Sequence, residues 1–204
     1  MKVFIVLFFT LNFLSAQKVV RKSIIDSAVS SIQIDVSNCF EVKIETFDTQ
    51  AIVVEANIDG EYRKDLVLNM TEEGTTVLVS AGFRPNFENP NDKLSAHKVV
   101  SIALNIKIPQ NMNVRVFGSN CNVNATGYFE KLKMTLNDGV SRLYKVEGLA
   151  EITSQSGDIF VESKSAEILP HSKYGQVDEN QIPSGDNKYL LNSVTGDIRF
   201  KRIE

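Results

Sequence analysis

The sequence predicts an all-β protein, a β-solenoid preceded by an antiparallel strand region. Three observations carry that expectation. Apolar and polar residues alternate over most of the chain, the mark of half-buried strands. Gly118, Gly139, Gly157, Gly175 and Gly196 recur 21, 18, 18 and 21 residues apart, and Gly127 and Gly148 repeat the spacing of 21. The stretch SQSGDIFVES at 154–163 returns as SVTGDIRF at 193–200, so that Gly157, Asp158 and Ile159 are matched by Gly196, Asp197 and Ile198. A strand-and-turn unit of about twenty residues used several times is a solenoid signature.

Residues 1–17 form a separate object. Lys2 supplies a short positive start, and Val3 to Leu14 an apolar run broken only by Thr10 and Asn12. Ser15 and Ala16 are the small residues of a cleavage site, after Ala16 or Gln17. This is the pattern of a secretory signal peptide, too short for a comfortable membrane span; an N-terminal membrane anchor is the competing reading. Gln17 and Lys18 stand where a lipoprotein would carry its cysteine. The expected mature protein is therefore one β domain, residues 18–204, secreted or periplasmic, neither lipid-anchored nor membrane-spanning.

The strands follow in order. Ile32, Ile34 and Val36 alternate with Gln33 and Asp35; Phe40, Val42 and Ile44 alternate with Glu41, Lys43 and Glu45. Ile52 to Ile58 make the next run, ended by the turn dipeptide Asp59-Gly60. Leu66, Leu68 and Met70 lead through Glu73-Gly74 to Val77 and Val79. Val100 to Ile108 is the clearest strand, stopped by Pro109, which cannot donate to a ladder. Two surface loops are expected, residues 83–98 and 170–188, both inserted in one continuous β structure. In the paced region Leu132, Met134 and Leu136 precede Gly139, Ala150 and Ile152 precede Gly157, and Tyr189 and Leu191 precede Gly196. Each glycine is read as a corner residue with freedom to take positive φ. The Gly139 unit fits less well, because Ser141 occupies the frame of Ile159 and Ile198.

Composition excludes some functions. The 22 basic residues are scattered among 25 acidic ones for a net charge of −3, which is no electrostatic footprint for nucleic acid. His97 and His171 are expected in polar loops, with neither HExxH nor CxxC beside them, so no metal ligand set and no cofactor are expected. Serines occur without a GxSxG elbow, and no catalytic residue is assigned. Asp138, Asp158 and Asp197 at successive corners offer oxygens for Ca²⁺ or a hydrolase pair, or simply accept hydrogen bonds within their own turns. Tyr128, Tyr144, Tyr174 and Phe160 are read as packing rather than as a sugar platform. Cys39 and Cys121 both end a Ser-Asn-Cys tripeptide, 82 residues apart. That is about four units, or ~19 Å along a strict solenoid. A disulfide needs Cα atoms within ~7 Å, so a bridge requires the N-terminal strands to fold back onto the stack. The alternative is a pair of buried small hydrophobes.

The runs LNIKIPQNMNVRVFGSNCNV, GYFEKLKMTLNDG, VEGLAEITSQSGDIFVES and YLLNSVTGDIRF resemble those of the putative adhesin-like β-strand-repeat proteins of unknown function. These are bacterial envelope proteins related to the head GIN domain, putative autotransporter adhesins. The resemblance spans about residues 30 to 203 and implies a right-handed β-helix with no catalytic residues to carry over. The expected role is a non-enzymatic surface interaction module whose ligand is an envelope or surface protein or polysaccharide. A polysaccharide-active β-helix enzyme and an envelope stress or signalling accessory are the alternatives.

Overall fold

The computed structural model describes residues 17–87 and 100–204. The segment read as a signal peptide and most of the 83–98 loop, with His97, lie outside the described residues. Those described form one all-β structure of fourteen strands with no helix among them.

Seven strands precede Pro109. They are β1 (Lys18–Ile25), β2 (Ser31–Asp35), β3 (Glu41–Phe47), β4 (Ala51–Gly60), β5 (Leu66–Glu73), β6 (Thr76–Phe83) and β7 (Val100–Pro109). Seven follow: β8 (Met112–Asn120), β9 (Asn122–Asp138), β10 (Ser141–Ser154), β11 (Ile159–Ser163), β12 (Glu167–Ser172), β13 (Lys188–Ser193) and β14 (Ile198–Arg202). The long strands β9 and β10 each cross from one layer to the other, which makes the whole a single sheet folded on itself.

Pairing defines two stacks. The first runs β5–β6–β2–β8, then the C-terminal halves of β9 and β10, then β13 and β12. The second runs β1–β4–β7–β3, then the N-terminal halves of β9 and β10, then β11 and β14. From β2 and β3 onward every pair is parallel and nearly every register unshifted, so like residues stack: Ser141, Ile159 and Ile198 in one file, Leu143, Val161 and Phe200 in the next. At the far end Lys18 Nζ donates to the carbonyls of Arg63 (3.1 Å) and Leu66 (2.7 Å), tying β1 to the start of β5 and giving the sheet a largely closed, barrel-like form.

One core runs the length of the stacks. The alternation explains it: Ile32 and Ile34, Val42 and Ile44, Leu132 and Met134, and Ile159 and Val161 all point inward and are buried. Successive strand residues face opposite sides, so the residues between them face solvent.

Two expectations are corrected, and the stacking order of the last units is established. The N-terminal strands are not an antiparallel block ahead of the stack. Antiparallel pairing is confined to β1–β4, β4–β7 and β5–β6, whereas β2 and β3 join the parallel ladders beside β8 and β9. The second loop begins after Ser172, because Pro170 and His171 belong to β12. Pro170 is tolerated there for a physical reason. Glu167 and Lys173 donate toward β13, so the even-numbered Pro170 faces the open edge, where no ladder bond is lost. Finally, the last two units are reversed in space: β13 and β14 lie against β10 and β11, while β12 and Val177 stack outside them.

Candidate functional site

The corners hold most of the residues that the sequence singled out. A Cβ on Gly157 would strike the Gly139 carbonyl, one on Gly196 the Gly157 carbonyl, and one on Gly175 the Gly196 carbonyl. The glycine file therefore runs 139, 157, 196, 175. Gly157, Gly175 and Gly196 have ordinary negative-side φ; they are glycines because the next rung's backbone leaves no room for a side chain, not because of positive φ. Only Gly139 in this file, with φ 91°, combines both reasons. At the last three of these corners a serine three residues earlier fastens the glycine. Gly157 N–H donates to Ser154 Oγ (2.8 Å), Gly196 N–H to Ser193 Oγ (2.9 Å) and Gly175 N–H to Ser172 Oγ (3.1 Å).

The corner carboxylates do not close their own turns. Asp158 Oδ1 accepts the Asp197 N–H at 2.9 Å, and Asp197 Oδ1 accepts the Gln176 N–H at 2.8 Å, so each clamps the next rung. Asp197 also receives Arg199 Nη2 at 3.0 Å. The Gln176 backbone bond, then the Arg199 bond, hold its carboxyl below the usual range. At the preceding rung Asn122 acts in the same way, its Oδ1 accepting the Val140 N–H at 3.0 Å. Three or more metal-ligating side chains do not converge anywhere among the described residues. His171 lies exposed on β12 rather than in a loop.

Cys39 and Cys121 are free thiols, both buried. The separation expected from the sequence is overturned by the β2–β8 and β3–β9 pairings, which put the two Ser-Asn-Cys corners in neighbouring rungs. Burial above all pushes both thiols up to about 12, with Cys121 and Asp35 adding to Cys39, and Glu41 to Cys121.

The two outer faces are arrays in register. On the second stack, Arg142, Phe160 and Arg199 occupy one row, and both guanidinium groups lie over the Phe160 ring, at 5.4 and 5.3 Å from its centre. The next row carries Tyr144, Glu162 and Lys201, with Lys201 Nζ 3.1 Å from Glu162. Tyr128, Tyr144 and Tyr174 are exposed at 39, 45 and 70%, which corrects the reading of them as packing. On the first stack, β6, β2, β8 and β9 line a shallow groove. One row of it holds Thr76, Ser31, Asn113 and Lys131; the next runs from the half-buried Leu78 on β6 through Gln33, Arg115 and Lys133. Lys131 and Lys133 lean toward Glu151 on β10, at 2.7 and 3.7 Å. The Lys131 hydrogen bond is the main cause of a lowered Glu151 pKa.

Sequence reasoning missed this groove. Its residues lie in outward positions of four runs between residues 31 and 133, and alternation alone reveals that they face solvent but not which of them are neighbours.

No protein-family model matches the chain, and no curated protein matches it. Among solved structures it is similar to a putative cell adhesion protein from Clostridium sporogenes, with TM-score 0.61 and 12% identity over 92% of this chain and 100% of that one. It also aligns with a putative adhesin from Bacteroides fragilis (TM-score 0.30, 11% identity, 92% and 98% of the two chains). A putative lipid binding protein from Parabacteroides distasonis aligns at TM-score 0.29 and 12% identity, over 91% and 97%. The Clostridium likeness bears on the fold. No helix among the described residues is long and apolar enough to cross a membrane.

Proposed function

We propose that the protein is an exported, non-enzymatic interaction module of the bacterial cell envelope or surface, and that its rungs are the coils of a right-handed β-solenoid. The hand follows from a general rule: parallel strand–crossover–strand connections are right-handed in about 98% of cases. Here β9 and β10 make such connections repeatedly. The observation that carries the functional reading is the pair of sheet faces, where charged, amide, hydroxyl and aromatic side chains stand in register across neighbouring rungs. An extended array of this kind suits a large partner lying across the strands. The cell-adhesion description of the Clostridium protein agrees with that reading.

The rival reading, a polysaccharide-active enzyme, rests on Asp158 and Asp197. Both carboxylates are committed to backbone bonds between rungs, Asp158 Oδ1 to the Asp197 N–H and Asp197 Oδ1 to the Gln176 N–H, which makes them clamps of the stack rather than a pair facing each other across a cleft. Export rests on the Lys2, apolar-run and Ser15-Ala16 pattern. Fractionation of the producing cell with N-terminal sequencing tests the compartment; the mature protein is expected to begin at Gln17 or Lys18. A panel of envelope material and polysaccharides tests the activity, with binding and no turnover expected. An intact Met1 in the cytosol, or turnover abolished by Asp158→Asn, overturns the proposal.

A further inference from the structure

We infer that the groove across β6, β2, β8 and β9 binds an acidic glycan, a polysaccharide carrying uronate carboxylates. The inference rests on the proposed surface-binding role and gives it a face and a ligand chemistry.

The groove has a distinct composition for a face of this protein. Its outward side chains are Ser31, Gln33, Thr76 and Asn113, with three cations, Arg115, Lys131 and Lys133. The apolar residues on its floor, Ile32 and Val114, point into the core and are buried. No carboxylate lines it, although acidic residues outnumber basic ones in the chain as a whole. Glu151 stands on the adjoining strand and holds the two lysine heads at one rim. Arg115 is exposed and has no carboxylate partner among the described residues.

The spacing follows from the sheet. Arg115 and Lys133 are directly paired on neighbouring strands, about 4.8 Å apart, and Lys131 precedes Lys133 on the same face, about 6.6 Å along the strand. The three cations thus spring from a compact triangle of backbone positions, with the lysine heads drawn toward Glu151 at one side. The Arg115 fork matches the two oxygens of a carboxylate, while the lysines act as point charges. Hydroxyl and amide groups beside them pair with ring hydroxyls, which supplies the uncharged polar contacts of glycan recognition. A membrane surface is the poorer fit. Interfacial binding requires large apolar side chains to enter the acyl boundary; the outward side chains lining the groove are hydroxyl, amide or cationic, and the one apolar residue in its rows, Leu78, is half-buried at the β6 edge.

The test is binding of the purified protein to polygalacturonate, with neutral dextran and anionic phosphatidylglycerol vesicles as parallel arms. Arg115→Glu with Lys133→Glu reverses two of the three cations, and Lys64→Glu, in the turn between β4 and β5 and on neither sheet face, is the control. All three side chains are exposed, and circular dichroism with a thermal melt confirms that each variant is folded. Saturable polygalacturonate binding is expected, weakened about tenfold or more by the double substitution and within about twofold of wild type for Lys64→Glu. Added salt should weaken it further. Equal affinity of wild type and double variant overturns the groove assignment while leaving a surface-binding role standing. Binding to vesicles but not to polygalacturonate overturns the ligand class. Failure to bind these probes and envelope material alike overturns both the inference and the reading beneath it.

Discussion

Before Pro109 and after it, the chain uses the same alternation of inward and outward residues, but it uses different corners. After Met112 the passages from one stack to the other take a few residues each, apart from the return between Val177 and β13, and the corners at Gly157, Gly175 and Gly196 are fastened by a serine and a glycine that fits under the next rung's carbonyl. Before Pro109 only β2 and β3 behave in this way. Between them and β8 the chain leaves to build β4, β5, β6 and β7, turning at Asp59-Gly60 and Glu73-Gly74 with φ of 108° and 61° at the glycines. Alternation decides which side of a strand is buried; corner chemistry decides whether the next strand stacks parallel or doubles back.

The largest test of this contrast is a charge in the shared core. Ile159 is fully buried, and its file continues through Ser141 and Ile198. Ile159→Asp places a carboxylate there without a partner, where the charged form is strongly disfavoured. A loss of about 3–5 kcal/mol is expected in thermal or urea melts. One cooperative transition, lowered as a whole, is expected if both regions share their core; a separate transition that spares β1–β7 would divide them.

A smaller effect separates the two kinds of glycine. Gly157→Ala drives a methyl group into backbone that cannot swing aside, and overpacking of that kind costs about 1–3 kcal/mol. Gly74 has nothing within 4 Å of an added Cβ and needs only its left-handed φ of 61°. Gly74→Ala should therefore cost about 1–2 kcal/mol, the ordinary left-handed penalty, and Gly74→Asn less than that, because asparagine tolerates the conformation. Gly157→Asn should cost more than Gly157→Ala. Melts of the four variants check the order, and rescue of both positions by asparagine would erase the distinction.

Much of this was legible in the residues. The glycine spacing and the repeated Gly-Asp-Ile marked the corners, and the frame that set Ser141 beside Ile159 and Ile198 is the observed register. What could not be read was the order of neighbours. The Ser172–Gly175 and Ser193–Gly196 corners are chemically equivalent, and the fifteen residues from Lys173 to Asn187 are long enough for either to lie inside. Sequence distance misled for Cys39 and Cys121 because β4 to β7, which lie between them in the chain, stack on the far side of β2 and β3 and leave the two corners in neighbouring rungs. Outward residues such as Arg115 and Lys133 announce only that they face solvent, so a groove assembled from four distant runs leaves no local pattern.

The smallest effect expected concerns the carboxylate that joins two rungs. Asp158 Oδ1 receives the Asp197 N–H across the gap between β11 and β14, and that bond is only partly buried. Serine at 158 carries its oxygen one bond closer to the main chain and does not reach, so the Asp197 N–H turns to water. An exchange of a protein hydrogen bond for a solvent one costs about 0.5–1.5 kcal/mol. Asp158→Ser should therefore lower stability by about 1 kcal/mol, far less than Ile159→Asp beside it. The sign with pH is set by Asp197, whose carboxyl is lowered by the Gln176 N–H and then by Arg199. A depressed folded-state pKa gives stability that is present above the ordinary aspartate value near 3.9 and is lost as pH falls through the lower, folded-state value. Wild type should accordingly lose stability on acidification below about pH 4, and Asp197→Asn should flatten that slope. Melts at pH 7 and pH 3 make the comparison. A loss for Asp158→Ser equal to that for Ile159→Asp would mean that the corner, and not the apolar file behind it, holds the rungs together.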